Sequence, residues 1–337
     1  MNARGRGIHR ALAISALLLA TAIALVSSLG GGVAVAGAAP SGVAIESPAA
    51  QQVGQFWTAA RMKRAKPMEI TQPGRTVGPS PASAAAAEVT RRISPTAPRA
   101  GASASSTFEA VGDPASEAAR QNGVIFFTAE GGLARCSGTS VNAPNFSVVF
   151  TAGHCVNSGG PYGHWYRGQW AFVPGYRYGQ RPFGIFPAKW IDSTRGWLTT
   201  GSENFDVGAA VVMRNERGQR LADAVGGAGI AWGQPADQIF EVHGYPVAPP
   251  FDGETQRLCA RTPFLGHDAE SFLSTGPLNL AVDCDVTGGA SGGGWTIEDD
   301  VLNGVTDYGY GDDAATDFGA YFGKEVARLY GRAGKVR

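Results

Sequence analysis

Past residue 10 the chain carries four histidines, at positions 154, 164, 243 and 267, so any imidazole chemistry must come from one of them. His154 lies in Thr151-Ala152-Gly153-His154-Cys155, directly after an apolar run. Small residues before it leave the ring uncrowded, and the cysteine after it can pin it. Ser291 lies in Thr287-Gly288-Gly289-Ala290-Ser291-Gly292-Gly293-Gly294. Glycines on both sides let the backbone turn tightly and aim amide N–H groups at one spot, as acyl transfer requires for a developing oxyanion. A serine hydroxyl is a weak nucleophile at neutral pH and needs a base to take its proton. His154 and Ser291 are therefore the candidate base and nucleophile.

Gly289 to Gly293 also satisfy G-x-S-x-G, the nucleophile elbow of lipases and esterases. In that arrangement the histidine follows the serine, and no histidine follows Ser291. The order His, acid, Ser remains. Asp206 is the strongest acid by position, because it ends the polar stretch Ser202-Glu203-Asn204-Phe205 and directly precedes the apolar run Val207 to Val212. A carboxylate there can be half buried and aimed at an imidazole N–H. Asp192, Asp223 and Asp237 lack that junction and read as solvated turns. His164, His243 and His267 read as structural. Asp299-Asp300 and Asp312-Asp313 lack the alternating oxygen ligands of a calcium loop, and Asn145-Phe146-Ser147 is a weak glycosylation pattern.

The elements that must position these residues read as strands. Val124 to Thr128, Ser147 to Thr151, Val207 to Val212 and Gln238 to Val242 are short β-branched or apolar runs separated by Gly, Pro, Asn and Asp clusters. No helical pattern intervenes to build βαβ units. With 48 glycines and 17% charged residues in 337, the composition suits an all-β domain, and only Gly323 to Gly331 reads as a helix. Lys plus Arg and Asp plus Glu are 28 each, so no net field favours nucleic acid or anionic lipid.

Arg4, Arg6 and Arg10 precede an apolar stretch from Ala11 to Val26, followed by Ala36-Gly37-Ala38, so residues 1–38 are expected to be a signal peptide. Residues 39–120, rich in Ala, Pro, Ser and Arg, are expected to be a pro-region. Val53 to Lys66 can form a basic helix, while Pro73 to Ser106 is expected to be flexible. The four cysteines all follow the signal and fit an oxidising compartment. Three pairings are formally possible. The local one, Cys136 with Cys155 and Cys259 with Cys284, closes two short loops worth roughly 3 kcal/mol each on chain-entropy grounds. Without C-x-x-C or H-E-x-x-H spacing, no metal site is expected.

Three motifs in order, T-A-G-H-C at 151–155, F-D-V-G-A-A-V-V at 205–212 and T-G-G-A-S-G-G at 287–293, resemble the chymotrypsin/trypsin superfamily, in its bacterial secreted trypsin-like and V8-like branch. The resemblance implies two six-stranded antiparallel β-barrels with the site in the cleft between them, here an N-terminal barrel over 121–215 and a C-terminal barrel plus terminal helix over 216–337. It implies His154 as general base then acid, Asp206 as its orienter and Ser291 as nucleophile. The N–H groups of Gly289 and Ser291 are implied as the oxyanion hole. A secreted, extracellular, monomeric endopeptidase follows, acting on protein or peptide substrates, without cofactor and without a membrane partner after signal cleavage. A protease-like binding protein with a dead site is the competing expectation, opposed by the presence of all three triad residues.

The departures from the family pattern concern activation and specificity. Ala290 precedes the nucleophile where animal trypsins carry an acid, so activation by an ion pair with a new N-terminus is not expected. Gly294 stands where many relatives have proline. Asp285, six residues before Ser291, falls at the pocket-base position, but Cys284 precedes it and Thr287 holds the usual place of the pocket cysteine. Tyr308 and Gly309 are implied to line the cleft, with Asp307 a second candidate for local charge. Maturation is expected near Arg92, Arg99 or Arg120.

Overall fold

The computed structural model describes residues 42–72, 77–78, 90–97, 117–129, 131–298, 300–311 and 313–337. The expected signal segment lies outside them, as does most of 73–106.

Two closed six-stranded antiparallel β-barrels form the body. The first comprises β1 (Asn122–Ala129), β2 (Gly132–Val141), β3 (Val148–Thr151), β4 (Gly168–Pro174), β5 (Phe186–Ser193) and β6 (Gly208–Val212). Pairing runs β1, β2, β3, β6, β5, β4 and back to β1. The second comprises β7 (Ile239–Gly244), β8 (Arg257–Asp268), β9 (Leu280–Asp283), β10 (Gly294–Ile297), β11 (Val301–Tyr310) and β12 (Asp313–Gly319), closed in the order β7, β8, β9, β12, β11, β10.

The apolar runs are continuous because both faces of these strands are covered. Along β1, Ile125 and Phe127 point into the first barrel's core with Val149, Phe172 and Ala210. Val124 and Phe126 point the other way, against Val53, Trp57 and Met62. The two-residue alternation of a strand makes that division unavoidable. On β3 and β6, the outward set Val148, Phe150, Ala209 and Val211 meets Val326, Leu329 and Ala333 of the C-terminal helix (Lys324–Ala333), close to the expected span. The second barrel closes over Phe240, Val242, Leu280, Val282, Trp295 and Val301.

Several short helices escaped the sequence analysis. One, Arg195–Thr200, is held by local capping: the Thr194 hydroxyl accepts from Trp197 N–H, and Gly201 ends the helix in the left-handed region at φ 70°. The basic segment 53–66 forms two helices rather than one, α1 (Ala50–Phe56) and α2 (Ala59–Arg64), with Thr58 capping the second. Their apolar residues Val53, Trp57, Met62 and Ala65 are buried on the outer face of the first barrel. Each large side chain so buried contributes roughly 1.5–3 kcal/mol. Part of the span 39–120 is thus packed structure.

Candidate active site

His154 sits in a single 3-10 turn, Gly153–Cys155, just past the end of β3, and Asp206 closes another such turn immediately before β6. The antiparallel register of β3 with β6 pairs Thr151 with Gly208 and so draws the two turns together. One Asp206 oxygen, Oδ2, lies 2.6 Å from His154 Nδ1, and the other, Oδ1, accepts the His154 backbone N–H at 2.7 Å. Asp206 is fully buried and His154 is 5% exposed. With a carboxylate as acceptor, the ring hydrogen belongs on Nδ1, which leaves the lone pair on Nε2. Nε2 is buried and, among the described residues, has no hydrogen-bond partner.

Glycine at 153 is a requirement of this pairing, because a Cβ there would stand 2.7 Å from Asp206 Oδ1 and 2.8 Å from Ser193 Oγ. The disulfide Cys136–Cys155 ties the turn to β2, and Cys259–Cys284 ties β8 to the residue after β9, as the local pairing anticipates. The Trp170 indole N–H donates to the Cys155 carbonyl at 3.1 Å and fixes the far side of the turn.

Ser291 belongs to a loop pinned from both barrels. Ser137 N–H donates to the Ser291 carbonyl at 2.8 Å, and the Ser137 hydroxyl donates to the Gly289 carbonyl at 2.9 Å. From the other side Gly292 N–H donates to the Thr306 carbonyl at 2.7 Å, and Thr306 N–H donates to the Gly293 carbonyl at 2.9 Å. Gly289 and Gly292 adopt φ of 100° and 79°, a region that L side chains rarely enter. Gly292 also lies so close to Thr151 and Ala152 that a Cβ would fall 2.0 Å from Thr151 Oγ1. The serine loop therefore rests on the residues that lead into His154, although the Ser291 hydroxyl does not hydrogen-bond to Nε2. Ser137 gave no signal in the sequence, since its importance comes from pairing across more than 150 residues.

The other expected residues fall in different settings. Asp285, which falls at the pocket-base position, is exposed. Tyr308 is buried, stacked on Phe318, with its hydroxyl donating to Asp268 Oδ2 at 2.6 Å. Gly309 has open space where a Cβ would be. Asp307, a candidate for charge in the cleft, is instead buried. Burial, then the charges of Asp206 and Asp317, push its pKa well above the usual carboxylate range. Asp317 is also buried and is pushed up to about 8 by burial, against the opposing hydrogen bond from the Thr306 hydroxyl at 2.7 Å. Burial thus opposes the charged forms of two acids on the second-barrel side of Asp206.

No protein-family profile matches the chain. Over 185 residues it is 28% identical to the extracellular metalloprotease of Bacillus subtilis (strain 168), covering 50% of this chain and 56% of that protein. The chain thus spans little more than half the length of that curated relative. Among solved structures, the protease Anisep from Arthrobacter nicotinovorans matches with a TM-score of 0.59 and 35% identity, over 64% of this chain and 96% of that one. The chain belongs to the chymotrypsin-like serine proteases. The thermostable serine protease AL20 from an extremophilic microorganism matches with a TM-score of 0.60 and 29% identity, over 66% of this chain and 100% of that one.

The name of the Bacillus relative specifies a metal, and the residues here can be tested for one. Among the described residues, the group of candidate ligands within 4.8 Å of one another is Cys136, His154 and Cys155. The two sulfurs are bonded to each other, so no thiolate is left to join the imidazole. This cluster does not fit a metal, and its imidazole is bonded instead to the buried carboxylate of Asp206.

Proposed function

We propose that the chain is a secreted serine endopeptidase that cleaves protein or peptide substrates through His154, Asp206 and Ser291. The observation that carries this reading is the buried two-point contact of Asp206 with His154, which leaves Nε2 without a hydrogen-bond partner among the described residues.

In the proposed reaction, Nε2 takes the Ser291 proton as the hydroxyl oxygen bonds to the substrate carbonyl carbon, and the carbonyl oxygen becomes an oxyanion. The N–H groups of Gly289 and Ser291 receive that charge. Among the described residues neither donates to a backbone carbonyl, which supports the assignment. Collapse breaks the C–N bond, and the imidazolium gives its proton to the departing amine. The acyl-enzyme then reacts with water, which loses its proton to Nε2, and the ester bond to Ser291 breaks as the proton returns to its oxygen. Asp206 keeps the hydrogen on Nδ1 and stabilises the imidazolium at each passage.

Substrate is proposed to lie along Tyr308 and Gly309. A cationic side chain directed at Asp285 would meet a solvated carboxylate, which is worth about 1 kcal/mol or less, so peptide-library profiling is expected to show a mild basic preference. Residues 1–38 and 39–120 are proposed as signal peptide and pro-region, with cleavage near Arg92, Arg99 or Arg120. The two disulfides support passage through an oxidising compartment. N-terminal sequencing of secreted protein checks this, and a start at Ala39 would contradict it. Sedimentation is expected to give a monomer.

Replacing Ser291 by Ala is expected to lower kcat on the order of 10⁶-fold with an unchanged melting temperature. Undiminished turnover in that variant would refute the assignment.

A further inference from the structure

Residues 66–72 cross the site. Lys66–Pro67 pairs in parallel with Ala134–Arg135 of β2, and Met68 N–H donates to the Arg135 carbonyl at 2.9 Å. Ile70–Gln72 pairs in parallel with Tyr308–Tyr310 of β11. Between the two, the Glu69 carboxylate lies against Gly288, with Oε2 only 1.7 Å from where a Cβ on that glycine would stand.

These three contacts bracket the nucleophile loop. Arg135 is two residues from Ser137, which bonds Ser291 and Gly289. Tyr308 is two residues from Thr306, which bonds Gly292 and Gly293. Gly288 is in the loop itself. An extended peptide entering beside Ser291 would use the free backbone groups of the same two strands, because edge pairing is how extended segments gain affinity without sequence demands. Those groups are already engaged, and Ser291 and His154 are only 4% and 5% exposed.

We infer that residues 66–72 are an autoinhibitory strap that fills the peptide-binding cleft, an inference that rests on the proteolytic reading above. The strap is held by what flanks it. Upstream, α1 and α2 bury Val53, Trp57 and Met62 on the first barrel, and the Trp57 indole N–H donates to the Gln169 carbonyl at 2.7 Å. At the crossing, Met68 packs against the first core, and Ile70 packs against Ala281, Tyr308, Tyr310 and Phe318. A cut at Arg92, Arg99 or Arg120 would leave this anchor in place. It would change an intramolecular ligand into a bimolecular one, so inhibition is released by dilution or by destruction of the anchor rather than by the cut alone.

Two measurements test the strap separately from the chemistry. In the full chain bearing Ser291→Ala, which cannot process itself through that residue, amide hydrogen exchange is expected to be slow in 66–72 and in 308–310. Adding Met68→Asp and Ile70→Asp is expected to speed both segments while α1, α2 and the barrel strands stay protected. Open-chain exchange of 66–72 in the parent would overturn the strap whether or not the protein is a protease. With Ser291 present, the same two substitutions are expected to raise the initial rates of fluorophosphonate labelling and peptide hydrolysis by the unprocessed chain roughly 10- to 100-fold. Equal rates would overturn the inhibitory role. A protected strap on a chain that never labels, strapped or unstrapped, would uphold occupancy of the cleft and sink the proteolytic reading instead.

Discussion

The two sides of the cleft are built on opposite principles. On the first barrel, imidazole and carboxylate are locked together before any substrate arrives, buried and bonded at two points. On the second, the serine hydroxyl stands free of Nε2, and the loop is held through its backbone while two glycines sit at positive φ. On the proposed reading, the difference follows from what each side must do. An imidazolium gains most from a carboxylate fixed in a dry setting, where little reorganisation is left to the moment of reaction. In the proposed reaction the nucleophile must move toward a carbonyl and back, and its loop is held through main-chain bonds.

The first-barrel side is therefore where small changes should cost most. Asp206→Asn keeps the shape but offers an N–H where an acceptor is needed, which favours the wrong tautomer. In processed enzyme its kcat is expected to fall about 10⁴-fold near neutral pH, and a loss of less than tenfold would mean that the pair is not held as described. Gly153→Ala forces a methyl against Asp206 Oδ1 and Ser193 Oγ. A displacement approaching 1 Å costs about 10²-fold, so steady-state kinetics should show a drop of that order in kcat with KM little changed. A variant with unaltered kcat would show that the pair tolerates movement and would erase the contrast between the two sides.

The second-barrel side carries a smaller effect, visible in stability. Asp317, with its pKa raised to about 8, binds a proton when folded that the unfolded chain releases near pH 4. The unfolded state then holds fewer protons between about pH 4 and 8, so stability from this group is lost as pH rises through that window. Fully buried His243 runs the other way, since burial lowers it to about 4 and its contribution is lost as pH falls from about 6.5 through 4. In the Ser291→Ala background, Asp317→Asn is expected to melt increasingly above its parent as pH goes from 5 to 8, by a few degrees at the upper end. A melting difference independent of pH would show that Asp317 is ionised when folded.

Much of this was legible in the sequence because the signals are local. Thr151 to Cys155 and Gly288 to Gly294 declare their turns through small residues, and Phe205-Asp206-Val207 marks the boundary where a polar loop enters a strand. The strands could be read from β-branched runs, and the cysteine pairs from proximity along the chain. What stayed hidden depends on partners far away in sequence. Asp307 looked like a cleft charge because nothing local reveals that Asp206 and Asp317 lie near it in a buried region. Residues 66–72 gave no signal beyond their place in the expected pro-region, because backbone pairing to a strand edge asks for no particular side chains. Ser137 is one hydroxyl among many until its bonds to Gly289 and Ser291 are seen.

The claim on which the rest depends is that His154 activates Ser291. Intact-mass and peptide-mapping spectrometry of processed enzyme treated with a fluorophosphonate tests it most directly. A single adduct on Ser291, abolished by His154→Ala, is the result expected. An unlabelled Ser291, or a Ser291 labelled equally well without His154, would contradict it.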